Sequence, residues 1–165
     1  MKEQNTMRPN LNQTPMGSRI TISLFGRRNA GKSTLMNRLT NQSISVVSDV
    51  AGTTTDPVYK AMELLPLGPV TFVDTAGFDD IGELGGQRMK KTREVLRKTE
   101  VAVIVLQAGE ELTEDEIKFY EEIKQRDIPI VVFVNKCDIK QPSEELIHWL
   151  LKNQLSYLLG SAAED

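Results

Sequence analysis

Apolar residues recur along this chain in two rhythms that take turns. Ile20, Ile22 and Leu24 alternate with Thr21 and Ser23, and the β-branched run predicts a strand over residues 20–25. Leu35, Met36 and Leu39 then fall at helical spacing and predict a helix over residues 32–39. Residues 58–65 and 70–73 read as two more strands, joined by Pro66-Leu67-Gly68-Pro69, whose residues suit a tight turn, so an antiparallel hairpin is expected. The runs at 101–106 and 130–134 are almost wholly apolar, as strands covered on both faces of a parallel sheet are. Helical patterns follow at 87–99, after the capping-box order Thr113-Glu114-Asp115-Glu116, and from Ser143 to Leu151, with a last strand-like stretch at 156–159. Strands alternating with helices predict an α/β fold: a mostly parallel, doubly wound sheet with one antiparallel hairpin strand and functional loops at the strands' carboxyl ends.

The remaining segments are polar. Residues 1–18, rich in Asn, Gln, Thr, Pro and Met, read as a flexible leader, and 43–57 as a polar connection, leaving 19–165 as a single domain. At 165 residues the chain is long enough for one proper core. Lys and Arg number 20 against 23 Asp and Glu, a formal charge of −3, so nothing global favours nucleic acid or an anionic membrane. The basic run Arg88, Lys90, Lys91, Arg93, Arg97 and Lys98 reads as a solvated helix face, with a partner surface as the alternative. No apolar run has the length of a membrane span and the first residues lack a signal-peptide core, so the chain reads as cytoplasmic. Cys137 and His148 are the only residues of their kinds, which excludes a disulfide framework and an iron–sulfur or other Cys/His cluster within this chain.

Between the first strand and the first helix stands Gly26-Arg27-Arg28-Asn29-Ala30-Gly31-Lys32-Ser33, a G-x-x-x-x-G-K-S loop in the context its chemistry needs. Gly26 and Gly31 permit the tight path around a phosphate. The N–H groups of Ala30, Gly31, Lys32, Ser33 and Thr34 then face an anion with the positive end of the helix dipole behind them. Lys32 adds a charge at the β- and γ-phosphates and Ser33 a hydroxyl ligand for Mg²⁺. A nucleoside triphosphatase needs a second hold on that metal. Asp74, ending the third strand in Asp74-Thr75-Ala76-Gly77, is placed to act on Mg²⁺ through a water, and Gly77 can bring its N–H against the γ-phosphate. Thr53, Thr54 and Thr55 offer a further hydroxyl to the metal.

Asn135-Lys136-Cys137-Asp138, at the end of the second apolar run, selects the base. The Asp138 carboxylate can accept from the ring N–H and exocyclic amine of guanine, whereas adenine presents a lone pair where guanine has that N–H; such sites discriminate by about 10⁴ or more. Asn135 is expected to brace neighbouring loops and the Lys136 stem to lie across the base. Ser161 and Ala162 are expected to supply a backbone N–H to the guanine oxygen.

In this order the motifs resemble a Ras-like P-loop GTPase of the translation-factor class, and Asn29 with Gly52-Thr53-Thr54 narrows the likeness to the TrmE–Era–EngA branch. That resemblance implies GTP/GDP and Mg²⁺, with Thr54 as the switch ligand to Mg²⁺ and Asn29 as ligand to a K⁺ ion that replaces an arginine finger. More specific segments, Ala51-Gly52-Thr53-Thr54-Thr55-Asp56-Pro57-Val58-Tyr59-Lys60 and residues 66–85, are similar to the GTPase domain of the HydF family of [FeFe]-hydrogenase maturation GTPases. The family's dimerisation and cluster-binding domains do not fit in this length, so the resemblance implies a GTP-binding domain excised from a longer protein. Its partners would be the other domains of that protein and partner maturases or hydrogenase, with a dimer left open.

Many Ras-like proteins carry a glutamine after D-x-x-G; here Phe78 stands there and cannot orient water. By the same resemblance, Asp80 is expected to position the attacking water, with Asp79 as the alternative, so the expected catalytic set is Lys32, Thr54, Gly77 and Asp80. Slow, K⁺-assisted hydrolysis in a maturation switch follows as the first reading. A tRNA-modification or ribosome-assembly GTPase and a GTP-holding module without useful turnover are the alternatives.

Overall fold

The computed structural model describes residues 19–41, 49–50, 57–77 and 83–163. In chain order the elements are β1 (Ile20–Gly26), α1 (Lys32–Asn41), β2 (Asp49–Val50), β3 (Val58–Leu64), β4 (Gly68–Asp74), α2 (Glu83–Lys98), β5 (Val101–Gln107), α3 (Glu114–Gln125), β6 (Ile130–Asn135), α4 (Glu144–Lys152) and β7 (Ser156–Leu159). The described residues form a seven-stranded sheet in the order β2-β3-β4-β1-β5-β6-β7. Only β3 runs against its neighbours, β2 and β4; the remaining pairs are parallel.

Alternation along each strand divides the core in two. Ile22 and Leu24 of β1 pack with Met62, Val70, Phe72 and the α1 residues Leu35 and Met36. Phe25, one step out of phase, joins Ile104, Leu106, Val132 and Val134 and the inward residues of α2, α3 and α4, among them Leu96, Ile123 and Leu150. Each such fully buried side chain stabilises the fold by about 1.5–3 kcal/mol. Phe25 meets Phe119 of α3 with ring centroids 5.0 Å apart. Because α1 lies on one face and the other helices on the opposite one, the connections on either side of β1 leave in opposite directions. The crevice this opens at the carboxyl end of β1 is where open α/β sheets bind ligands.

Local chemistry fixes the helix starts. Thr113 Oγ1 accepts from Glu116 N at 3.2 Å and Thr113 N donates to Glu116 Oε1 at 2.9 Å, completing the expected capping box. Ser143 caps α4 by accepting from Leu146 N. Two expectations need correction. The connection read over 43–57 contains β2, a strand of two residues paired to β3 and too short to show alternation. Helix α2 begins at Glu83, ahead of the expected residue 87, because Gly85 and Gly86 hide a helix in which they are poor formers. Arg19, the first residue of the expected domain, is 6% exposed. The leader at 1–18 lies outside the described residues.

Candidate nucleotide-binding and hydrolysis site

The phosphate loop leaves β1 at Gly26, where an added Cβ would lie 2.5 Å from Val105 O, so only glycine lets the two strands run together there. Asn29 (φ 66°) and Gly31 (φ 99°) take left-handed conformations that bend the loop back. A Cβ on Gly31 would sit 2.1 Å from Asn135 Nδ2. Ala30 N donates to Arg27 O at 3.2 Å, and Leu35 N to Gly31 O at 2.9 Å, which starts α1. Lys32 is buried, and its Nζ donates to Gly26 O at 3.1 Å and Arg27 O at 2.8 Å, inside the curve of the loop. Ser33 and Thr34 follow on the exposed first turn of α1.

Ser33 Oγ donates to Asp74 Oδ2. Asp74 is 7% exposed, and its other oxygen, Oδ1, is buried with no hydrogen-bond partner. Burial holds its carboxyl above the usual range, partly offset by the Ser33 hydrogen bond and by the charges of Lys32 and Lys60. A hydroxyl beside a carboxylate with a free, desolvated oxygen is a hard-oxygen donor set suited to a divalent cation and its water, so these residues fit Mg²⁺. Gly77 approaches the phosphate loop directly: an added Cβ would be 2.3 Å from Arg28 N. Thr53 and Thr54, and Asp80 with Phe78 and Asp79, lie outside the described residues.

On the other flank Asn135, 3% exposed at the end of β6, donates from Nδ2 to Ala30 O and accepts at Oδ1 from Ala162 N, both at 2.9 Å. Lys136 Nζ donates to Asn29 O at 2.7 Å from a left-handed residue (φ 64°). Cys137 N donates to Gly160 O, and Gly160 N to Val134 O, both at 3.1 Å, tying the loop after β7 to this one. Cys137 Sγ donates to Val134 O. Ile139 N and Lys140 N close a turn on Lys136 O that leaves Asp138 exposed. The Ser161 Oγ is buried without a partner beside buried Ala162. The structure thus brings Asn29, Ala30, Asn135, Lys136 and Ala162 together at one end of the loop, and Lys32, Ser33, Asp74 and Gly77 at the other. Sequence reasoning missed two contributors. Lys60 Nζ donates to Asn37 Oδ1 at 2.9 Å, one helical turn beyond Ser33, and Ala108 N donates to Asn135 O at 2.8 Å. Neither pairing leaves a motif, because each joins residues far apart in the chain.

A lysine-bearing phosphate loop at the switch point of this strand order defines the class, an α/β P-loop GTPase domain of the kind found in MnmE, Der and Era. Residues 21–136 match the family described as 50S ribosome-binding GTPase, and the chain belongs to that family. It is 32% identical to the tRNA modification GTPase MnmE of Aquifex aeolicus over 121 residues, 73% of this chain and 26% of that protein. With the GTPase Der of Campylobacter concisus it shares 39% identity over 130 residues, 76% of this chain and 27% of Der. A crystal structure of an Era variant from Aquifex aeolicus bound to GDP·AlF4⁻ superposes with a TM-score of 0.70 at 27% identity, covering 86% of this chain and 50% of that one. The chain therefore spans about a quarter of the curated relatives it matches. Among the described residues no helix is long and apolar enough to cross a membrane.

Proposed function

We propose that this chain is the nucleotide switch of an [FeFe]-hydrogenase maturation protein, binding GTP–Mg²⁺ and hydrolysing it slowly. The observation that carries the nucleotide chemistry is the Ser33–Asp74 pair with its orphaned Oδ1 beneath the phosphate loop. The maturation role rests on the likeness of residues 51–60 and 66–85 to the HydF GTPase domain. Asp138 accepts from guanine, and Asn135 holds the loop that carries it against the phosphate loop. Lys32 exchanges its two carbonyl partners for phosphate oxygens, and Gly77 offers its N–H to the γ-phosphate. Ser33 and Thr54, with Asp74 through a water, would hold Mg²⁺, which would supply positive charge at the β- and γ-phosphates. Asn29, exposed at the bend of the loop, would hold a K⁺ ion that supplies positive charge there, and Asp80 would orient the water in place of the glutamine that Phe78 replaces.

Phosphate release from GTP, compared in K⁺ and Na⁺ and in Asp80→Ala, tests the chemistry. Turnover should fall in Na⁺ and in the variant with GTP affinity nearly intact; equal rates would remove Asn29 or Asp80 respectively. Absence of any turnover would leave a GTP-holding module. The identity to MnmE and Der favours a second reading, a tRNA-modification or ribosome-assembly GTPase. Cells carrying Lys32→Ala in the parent gene separate the two. Loss of hydrogenase activity with normal tRNA modification and ribosome profiles supports maturation, and the opposite pattern supports the second reading.

A further inference from the structure

Helix α1 is joined to the β3–β4 hairpin by two polar pairs that lie one above the other. Ser33 Oγ donates to Asp74 Oδ2, and one helical turn further on Lys60 Nζ donates to Asn37 Oδ1 at 2.9 Å. The two elements keep step over this distance. Asp74 of β4 lies opposite Val58 of β3, and Lys60 stands two residues beyond Val58 on the same face. Two strand residues advance about 7 Å, and the four helical residues from Ser33 to Asn37 about 6 Å. The other side chains on that face of β3 are apolar: Val58, Met62 and Leu64 pack in the cluster that holds Leu35 and Met36 of α1. A half-buried lysine among them breaks the strand's pattern, and such breaks are expected where function outweighs packing. The charge of Lys60 also reaches the Asp74 carboxyl.

From this pairing we infer that Lys60 is a positioning residue for the metal flank: through Asn37 it fixes the first turns of α1 against the hairpin, and so sets the Ser33 hydroxyl beside Asp74. The inference rests on the reading above of Ser33 and Asp74 as the Mg²⁺ residues. Mg²⁺ demands near-ideal octahedral geometry with short bonds, so a small displacement of one donor weakens it. The rest of the site has fixings of its own. Lys32 Nζ donates to Gly26 O and Arg27 O inside the phosphate loop, and Asn135 joins Ala30 to Ala162 on the base side. Loss of the Lys60 link should therefore appear in the metal dependence of nucleotide binding, with metal-free binding little changed. A lysine that acted by charge alone would have the opposite effect, since its ammonium repels a dication and its removal would strengthen Mg²⁺ binding.

The test is calorimetric binding of a non-hydrolysable GTP analogue to the 165-residue chain, in EDTA and across a Mg²⁺ titration, for the unsubstituted chain, Lys60→Met, Asn37→Ala and the double variant. Each single substitution should raise the Mg²⁺ concentration for half-maximal tightening about three- to tenfold, with affinity in EDTA within about twofold of the unsubstituted chain. The double variant should go no further than either single one, because both remove the same link. Lys90→Ala on α2 should change nothing. An equal loss of affinity in EDTA, a lower Mg²⁺ requirement in Lys60→Met, or effects that add in the double variant would overturn the inference. Mg²⁺ tightening that neither single substitution alters removes the inference alone and leaves the Ser33–Asp74 reading standing. If Mg²⁺ does not tighten binding to the unsubstituted chain, that reading falls and the inference with it.

Discussion

The two flanks of the phosphate loop are finished in different ways. Toward the base, Asn135 has both side-chain polar atoms matched inside the protein, to Ala30 and Ala162, and Lys136 is bonded to Asn29. Toward the metal, Asp74 is just as buried, yet one of its oxygens has no partner and its carboxyl is pushed up by burial. An unmatched buried carboxylate oxygen is costly, so it persists where a ligand supplies what the fold omits. Among the described residues the Asn135 and Lys136 links of the base frame are thus complete as folded, with the Ser161 Oγ the unmatched group on that flank, whereas the carboxylate that faces the phosphate side is left with a free oxygen. This also places stability and function on opposite footings at the two ends of a single loop.

Substitutions at the two ends should separate these roles. The largest effect is expected for Gly31→Ala, which forces a residue with φ 99° to carry a Cβ 2.1 Å from Asn135 Nδ2. It should cost about 2–5 kcal/mol in denaturant unfolding and abolish measurable GDP binding. Next, Asn135→Ala strands Ala30 O and Ala162 N, with an expected loss of about 2–4 kcal/mol and a matching fall in GDP affinity. A variant as stable as the parent would show that the base frame is not fixed by this side chain.

Asp74→Asn should move stability the other way. With its folded pKa raised, the native state binds more protons through the acid range, so stability falls as pH rises from the unfolded carboxylate pKa through the folded one, and the cost is complete above it. The substitution should therefore raise the ligand-free Tm by a few degrees above that window, with the gap closing as pH is lowered through it, while Mg²⁺-dependent tightening of GTP binding is lost. A lower Tm above that window would contradict the contrast. Smallest of all, Lys136→Ala removes one exposed hydrogen bond and should weaken GDP by about two- to fivefold with Tm unchanged.

Much of the frame was legible because the rules it follows are local. Apolar runs at 101–106 and 130–134 marked the buried parallel strands β5 and β6, and the Thr113–Glu116 spacing marked a helix start at the right residue. What escaped was cooperative. The sheet pairs Asp49–Val50 against β3 although two residues carry no period, and α2 holds two glycines helical that its sequence disfavours. The site shows the same division. Lys32, Ser33, Asp74 and Asn135 stood out as motif residues, but the links from Asn135 to Ala30 and Ala162 and from Lys60 to Asn37 depend on the strand order, which brings distant loops to one crevice.

The central claim, that a base frame fixed through Asn135 stands beside a phosphate side completed by its ligand, is tested most directly by one titration series. GDP and ADP affinities should be measured by calorimetry with Mg²⁺ and again with EDTA. Preference for GDP of about 10³-fold or more that survives metal removal is the predicted result, with the metal changing the affinity itself. Selectivity that collapses in EDTA, or ADP bound as tightly as GDP, would contradict it.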